Sequence, residues 1–176
     1  GPFWHNQVHP ERSLFWWAYN ANKRSITLDI ESADGAAIFL RLVASADFII
    51  ESFSPGHMAG LGLGYEELTR INPRAIVASI TPFGQTGPKA NNAWSDVSIW
   101  ASGGPLYLTG HPDRPPVGIS FPHQATLHGG AEAAVACLIA HYYREQSGEG
   151  QYIDVSVQAA VYLVMTSWME FWETAG

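Results

Sequence analysis

Between residues 25 and 80 the chain alternates short apolar runs with capped helical patterns, and this alternation limits the possible folds more than any other feature. "SITLDI" (Ser25–Ile30), "DFIIES" (Asp47–Ser52) and "AIVASI" (Ala75–Ile80) each have the length and composition of a strand. Between the first two, Ser32 with Asp34 opens a helix through "GAAIFLRLVASA", whose Ile38, Leu42 and Val43 share one face. Between the second and third lie a glycine-broken turn, "SPGHMAGLGLG", and a brief helix, "YEELTRINP", ended by Asn72-Pro73. Strands alternating with helices point to parallel βαβ units and an α/β fold.

The flanks read differently. Residues 1–20, with Pro2, Pro10 and clustered aromatics, read as loop, and residues 81–122 are turn-rich apart from a short helix around Ser95–Ala101. After Leu127 a long helix runs to about Gln146, followed by a Ser147–Gly150 turn, the strand "QYIDVSV" and a final helix from about Gln158. The chain opens without Met and stops after the apolar pattern "VYLVMTSWMEFWETAG", so it reads as a piece of a longer protein.

Composition narrows the function classes. The 176 residues suffice for one domain with a sizeable core, and 47% of them are hydrophobic against 14% charged, which excludes a disordered tail. Seven Trp suit large buried interfaces as well as a core. A net charge of −7 argues against a nucleic-acid partner, because phosphate-backbone binders are normally basic. The single cysteine, Cys137, lies in an apolar helical run and reads as a buried small hydrophobe in a reducing cytoplasm. No apolar stretch reaches the ~20 residues that span a bilayer, so no membrane role is expected.

None of the seven histidines falls in an H-x-x-x-H pair on a helix, and Cys137 has no partner cysteine, so zinc-ligand spacing is absent. No G-x-S-x-G elbow or P-loop occurs, and "GLGLGYEE" lacks dinucleotide-loop spacing. The helix predicted near Gly129 is more informative, because its exposed N–H groups and dipole favour an anion or a developing oxyanion at its start. A carboxylate held there would suit attack on a thioester. The residues at hand are Thr126, His128, with His123 close by, and Glu132, one turn in, which also fits simple complementation of the dipole.

Several segments, in order, resemble the family III CoA-transferases, a family that includes formyl-CoA and carnitine CoA-transferases and α-methylacyl-CoA racemases. The carriers are "NANKRSITLDI" (Asn20–Ile30), "ADFIIESFSPG" (Ala46–Gly56), "LGLGYEELTRINPRAIVASITPFGQTGP" (Leu61–Pro88) and "REQSGEGQYIDVS" (Arg144–Ser156). The resemblance implies that residues 1–176 are part of a Rossmann-like, parallel-sheet large domain that binds CoA, with an amino-terminal segment and a carboxy-terminal small domain lying outside it. It also implies an interlocked dimer, acyl-CoA and carboxylic acid substrates, coenzyme A as the group carried, and no metal. Leu28, Ser52, Phe53, Ser54, Pro55 and Leu61 fall on its CoA-binding framework.

The departures from the family pattern are chemical. Placed without gaps through Pro116–Gln151, the family's nucleophilic aspartate falls on Thr126, whose hydroxyl is not an ionised carboxylate at neutral pH. The tyrosine or histidine that precedes Asp96 in relatives is Ser95, so a racemase acid/base pair is missing at both positions. Glu31 stands where a basic residue is expected, Ser52 where an asparagine is, and Gly60 where an arginine often is. Two readings follow. The chain belongs to a transferase whose nucleophile has moved, with Glu132 the leading substitute and His128 or His123 a helper, or it is the non-catalytic subunit of a hetero-oligomeric transferase.

Overall fold

A computed structural model describes residues 1–118 and 123–175. In chain order these form α1 (Leu14–Tyr19), α2 (Ala33–Val43), β1 (Phe48–Glu51), α3 (His57–Gly60), α4 (Tyr65–Ile71), β2 (Ile76–Thr81), α5 (Asp96–Ser102), α6 (Gln124–Ser147), β3 (Tyr152–Ser156), α7 (Val157–Leu163) and α8 (Thr166–Ala175). The three strands pair in the order β1-β2-β3 and are all parallel, with Ile49 opposite Val77 and Ala78 opposite Ile153.

The central strand explains the layers. Along β2, Ile76 and Ala78 pack with Cys137 and Ala140 of α6, whereas Val77 packs with Val43, Ile49 and Leu68 toward α2 and α4. Alternate residues thus meet helices on opposite faces, which is why β2 is continuously apolar at its start rather than alternating. A third cluster, of Ile99, Trp100, Ala125, Val157 and Val161, joins α5, α6 and α7 beyond the strand ends. The expected α/β parallel sheet is therefore present, with helices on both faces.

Three local expectations are corrected. "SITLDI" is not a strand: residues 23–29 have no regular structure and Ile26 is exposed, because an alternating pattern becomes a strand only beside a neighbour that takes its N–H and C=O groups. Residues 1–20 are not all loop, since Ser13 caps α1 through the Trp16 N–H at 3.2 Å. The long helix starts at Gln124, not near Gly129. Its glycines sit inside the helix for a packing reason: a Cβ on Gly129 would lie 2.8 Å from Val157 Cγ2. Ala125, Gly129, Ala133, Cys137 and Ala140 make a stripe of small buried residues that lets α6 approach the sheet and α7 closely.

Arg144 ends that stripe. It is 4% exposed, and its Nη1 donates to the Asp47 carbonyl at 3.1 Å and the Arg74 carbonyl at 3.2 Å, just before β1 and β2. One guanidinium thereby fixes the carboxy-terminal turn of α6 to the entrances of two strands.

Candidate active site

Ligands of open α/β sheets bind outside the carboxyl ends of the strands, and here those ends surround a cavity of about 420 Å³. Ser52, Phe53, Ser54 and Pro55, after β1, form one part of it. Ile80 and Pro82, at the end of β2, and Val157, after β3, form another. The excursion before α5 contributes Ala90, Asn91, Asn92 and Trp94, and the first turn of α6 contributes Thr126.

The loop after β1 is held by a chain of polar contacts. Glu51 Oε2 accepts from the Phe53 N–H at 2.7 Å, and Gln85 Oε1 accepts from the Gly56 N–H at 3.2 Å. Gln85 is itself anchored, its N–H donating to both carboxylate oxygens of Asp154 on β3 at 3.1 and 3.0 Å. Gly56 and Gly84 have φ of +78° and +91°, a region a side chain would strain, so each glycine permits its turn. Ser54 also lines a smaller neighbouring cavity of about 80 Å³, with Glu51, Gln85 and Tyr152. Burial pushes the Tyr152 phenol up; the bond from its O–H to Ser79 Oγ at 3.0 Å opposes this, and the charges of Asp154 and Glu51 reinforce it.

The start of α6 carries a cap supplied from elsewhere in the chain. His123 precedes the helix with φ +73° and its side chain makes no capping bond; its ring lies 5.7 Å from that of Phe15. The cap is Asp96, whose Oδ1 accepts from the N–H of Ala125 at 2.9 Å and of Thr126 at 3.4 Å. Asp96 is the first residue of α5, where Ser95 and Ser98 form a reciprocal capping box. A carboxylate does stand at this helix terminus, then, but it comes from α5. In the sequence Ser95-Asp96 announces only the start of its own helix, and nothing local ties Asp96 to α6.

Of the residues singled out from the sequence, the structure brings Ser52, Phe53, Ser54, Pro55 and Thr126 together on one cavity. Leu28 and Leu61 are half-buried and do not line it. The Thr126 hydroxyl donates to the His123 carbonyl at 3.0 Å. His128 stacks on Trp100, with ring centroids 5.5 Å apart at 26°, and so packs toward α5. Glu132 is exposed and lies two turns into α6 instead of one. Six residues separate it from Thr126, about 9 Å along the axis and roughly 120° around it. Among the nearby aromatics, Trp94 lines the cavity, Trp100 is buried in the core and Tyr107 is exposed. Among the described residues, no group of three His, Cys, Asp or Glu side chains could hold a metal, and no helix is long and apolar enough to cross a membrane.

Known proteins resemble this chain in sequence and fold. The chain is 39% identical over 176 residues to the succinyl-CoA:(R)-benzylsuccinate CoA-transferase subunit BbsE of Thauera aromatica, covering 100% of this chain and 43% of that protein. It is 36% identical to the succinyl-CoA–D-citramalate CoA-transferase of Chloroflexus aurantiacus, over 98% of this chain and 43% of the relative. A crystal structure of a CAIB/BAIF family protein from Brucella suis superposes with a TM-score of 0.81 at 39% identity, over 88% of this chain and 41% of that one. The chain thus spans less than half the length of each. The sequence matches CoA-transferase family III from residue 2 to residue 176, and to that family the chain belongs.

Proposed function

We propose that the protein containing this chain is a CoA-transferase, which moves CoA from an acyl-CoA thioester to a carboxylic acid, and that the exchange takes place at the cavity beside the first turn of α6. The observation that carries this reading is the convergence of Ser52–Pro55 and Thr126 on one space at the carboxyl ends of the strands. In such an exchange a carboxylate oxygen attacks the thioester carbonyl carbon and the C–S bond breaks, leaving a mixed anhydride and CoA thiolate. The thiolate then attacks the enzyme's carboxyl carbon and releases the donor acid. The acceptor carboxylate attacks the resulting enzyme thioester, and the returning thiolate takes the new acyl group. On this reading residues 1–176 are part of the large CoA-binding domain of a cytoplasmic protein. Leu138, Ile139 and Tyr142 of α6 and Trp16 of α1 remain exposed, which supports burial against the rest of the chain or a second subunit in an interlocked assembly.

A second reading concerns where the carboxylate resides. No carboxylate lines the cavity among the described residues, and a hydroxyl occupies the family's aspartate position. This favours a hetero-oligomeric transferase in which a related subunit supplies the nucleophile and this chain does not. For Glu132 to substitute, substrate would have to reach a different face of α6, and His128, packed on Trp100, would have to turn out of its stack. The test is to incubate the full-length protein, alone and with a co-purified partner, with acyl-CoA donors and a panel of carboxylates, then trap enzyme thioesters with hydroxylamine. Turnover by the isolated protein that is lost in Glu132→Ala would overturn the second reading. No CoA binding or turnover under either condition would overturn the first.

A further inference from the structure

The segment after β1, Ser52–Gly56, is a thin wall between two spaces. Ser52, Phe53, Ser54 and Pro55 line the cavity of about 420 Å³, while Ser54 and Gly56 also line the smaller one of about 80 Å³. Gln85 and Glu51 line the smaller cavity and not the larger. Two side-chain acceptors tie this wall to the sheet. Glu51 Oε2, at the end of β1, accepts from the Phe53 N–H at 2.7 Å, and Gln85 Oε1 accepts from the Gly56 N–H at 3.2 Å. The other end of the same amide, Gln85 Nε2, donates to Glu51 Oε1 at 3.5 Å. The Gln85 N–H in turn is held by both carboxylate oxygens of Asp154 on β3, at 3.1 and 3.0 Å. One glutamine, in the turn after β2, thus reaches the ends of β1 and β3 and takes part in both fastenings of the wall. Within the wall, the Ser54 carbonyl accepts from the His57 N–H at 3.0 Å and the Phe53 ring packs on His57, with centroids 4.8 Å apart. These contacts make the wall continuous with the start of α3.

From this we infer that Gln85 is a positioning residue for CoA binding: its amide sets the shape of the Ser52–Gly56 wall without touching what occupies the larger cavity. The inference rests on the proposed CoA-transfer role of that cavity. A carboxamide suits the place because it accepts from Gly56 and donates to Glu51 at once, which an ionised carboxylate cannot do. The titratable groups around it are Glu51 of β1, Asp154 and Tyr152 of β3, and Tyr65 of α4. Two of these are carboxylates, so a third carboxylate in place of the amide would meet like charge. Without the amide link the wall is free to sample other shapes, and binding must then supply the ordering that the link now provides.

The experiment is calorimetric titration of the full-length protein, with its partner subunit where one co-purifies, using CoA. Gln85→Ala is expected to weaken CoA binding about five- to tenfold, the effect of one or two lost neutral hydrogen bonds. That factor should be the same at about pH 7.5 and about pH 5.5, since alanine has nothing to titrate. Gln85→Glu should weaken binding at least as much at about pH 7.5 but come within about twofold of the unaltered protein at about pH 5.5. A carboxyl crowded by Glu51 and Asp154 takes up a proton readily and with it regains the ability to donate. Each ratio is taken against the unaltered protein at the same pH, which cancels the titration of CoA itself. Destabilisation alone would lower the melting temperatures of both variants without this recovery. Should Gln85→Ala fail to fold, the pH response of Gln85→Glu decides by itself. Binding by folded Gln85→Ala within about twofold of the unaltered protein, or a Gln85→Glu ratio that does not change with pH, would overturn the inference and leave the transferase reading in place. Failure of the unaltered protein to bind CoA would remove the transferase reading and this inference with it.

Discussion

Replacing Arg144 with methionine should detach the end of α6 from the sheet, and the structure allows the cost to be worked out. Methionine keeps the apolar stem but removes two hydrogen bonds to the carbonyls of Asp47 and Arg74, together with the contact of Nη2 with His141 Nδ1 at 2.9 Å. Bonds of this charged kind contribute about 1.5–3 kcal/mol each. Against that, Arg144 Nε is buried without a hydrogen-bond partner, and its removal returns about 1–3 kcal/mol. Taking the middle of each range, the net expected loss is about 2–3 kcal/mol, a large part of the roughly 5–15 kcal/mol that holds a domain folded. Asp47→Ala is the control. Its carboxylate sits 3.1 Å from Arg144 Nη2 but is 75% exposed, so losing it should cost no more than about 1 kcal/mol. Urea denaturation of the full-length protein, followed by circular dichroism, reads both changes. An Asp47→Ala loss as large as that of Arg144→Met would show that the ion pair, not the carbonyl bonds, holds the helix, and a loss below about 1 kcal/mol for Arg144→Met would refute the clamp altogether.

Other perturbations test separate parts of the structure. Gly129→Ala places a Cβ 2.8 Å from Val157 Cγ2 and should destabilise by about 1–3 kcal/mol despite alanine's better helix propensity, with Val157→Ala in the same chain restoring part of the loss in a thermal melt. Asp96→Ala removes the cap on α6 and should cost about 1–2 kcal/mol, accompanied by faster hydrogen exchange at the Ala125 and Thr126 amides. Gln85→Ala should speed exchange at Gly56 in the cavity loop and leave β2 protected. Burial pushes the Cys137 thiol up, so below the alkaline range it stays neutral and iodoacetamide should label it only after urea is added. The sign follows from the shift: any stabilisation linked to that proton is complete below the ordinary thiol pKa and is lost as pH rises through the folded one.

The strands, the parallel topology and the residues of the cavity loop were legible because each is announced locally. β1, β2 and β3 are apolar runs between turn signals, and Ser52–Pro55 follow a strand directly. What the sequence concealed depends on distant partners. "SITLDI" has strand periodicity, but among the described residues no strand lies beside it, and its own pattern does not reveal that. α6 starts five residues before the Gly129 boundary expected from the sequence because its cap, Asp96, lies 29 residues before Ala125, and because Gly129 and Gly130 look like a boundary until Val157 is seen against Gly129. That shift moves Glu132 from the first turn to two turns into the helix and so changes which side chains can meet the cavity.

The most direct test introduces the carboxylate at the position where it is absent. Full-length protein carrying Thr126→Asp is incubated with a radiolabelled acyl-CoA, trapped with hydroxylamine and mapped by peptide mass spectrometry. An acidic residue in the first turn of α6 suits the helix dipole, so the substitution is expected to fold. If the cavity beside that turn is where CoA is exchanged, the hydroxamate appears at position 126 in the variant and not at that position in the unaltered protein. A hydroxamate at Glu132 instead, or none in a variant that still binds CoA, would place the chemistry elsewhere and contradict the assignment.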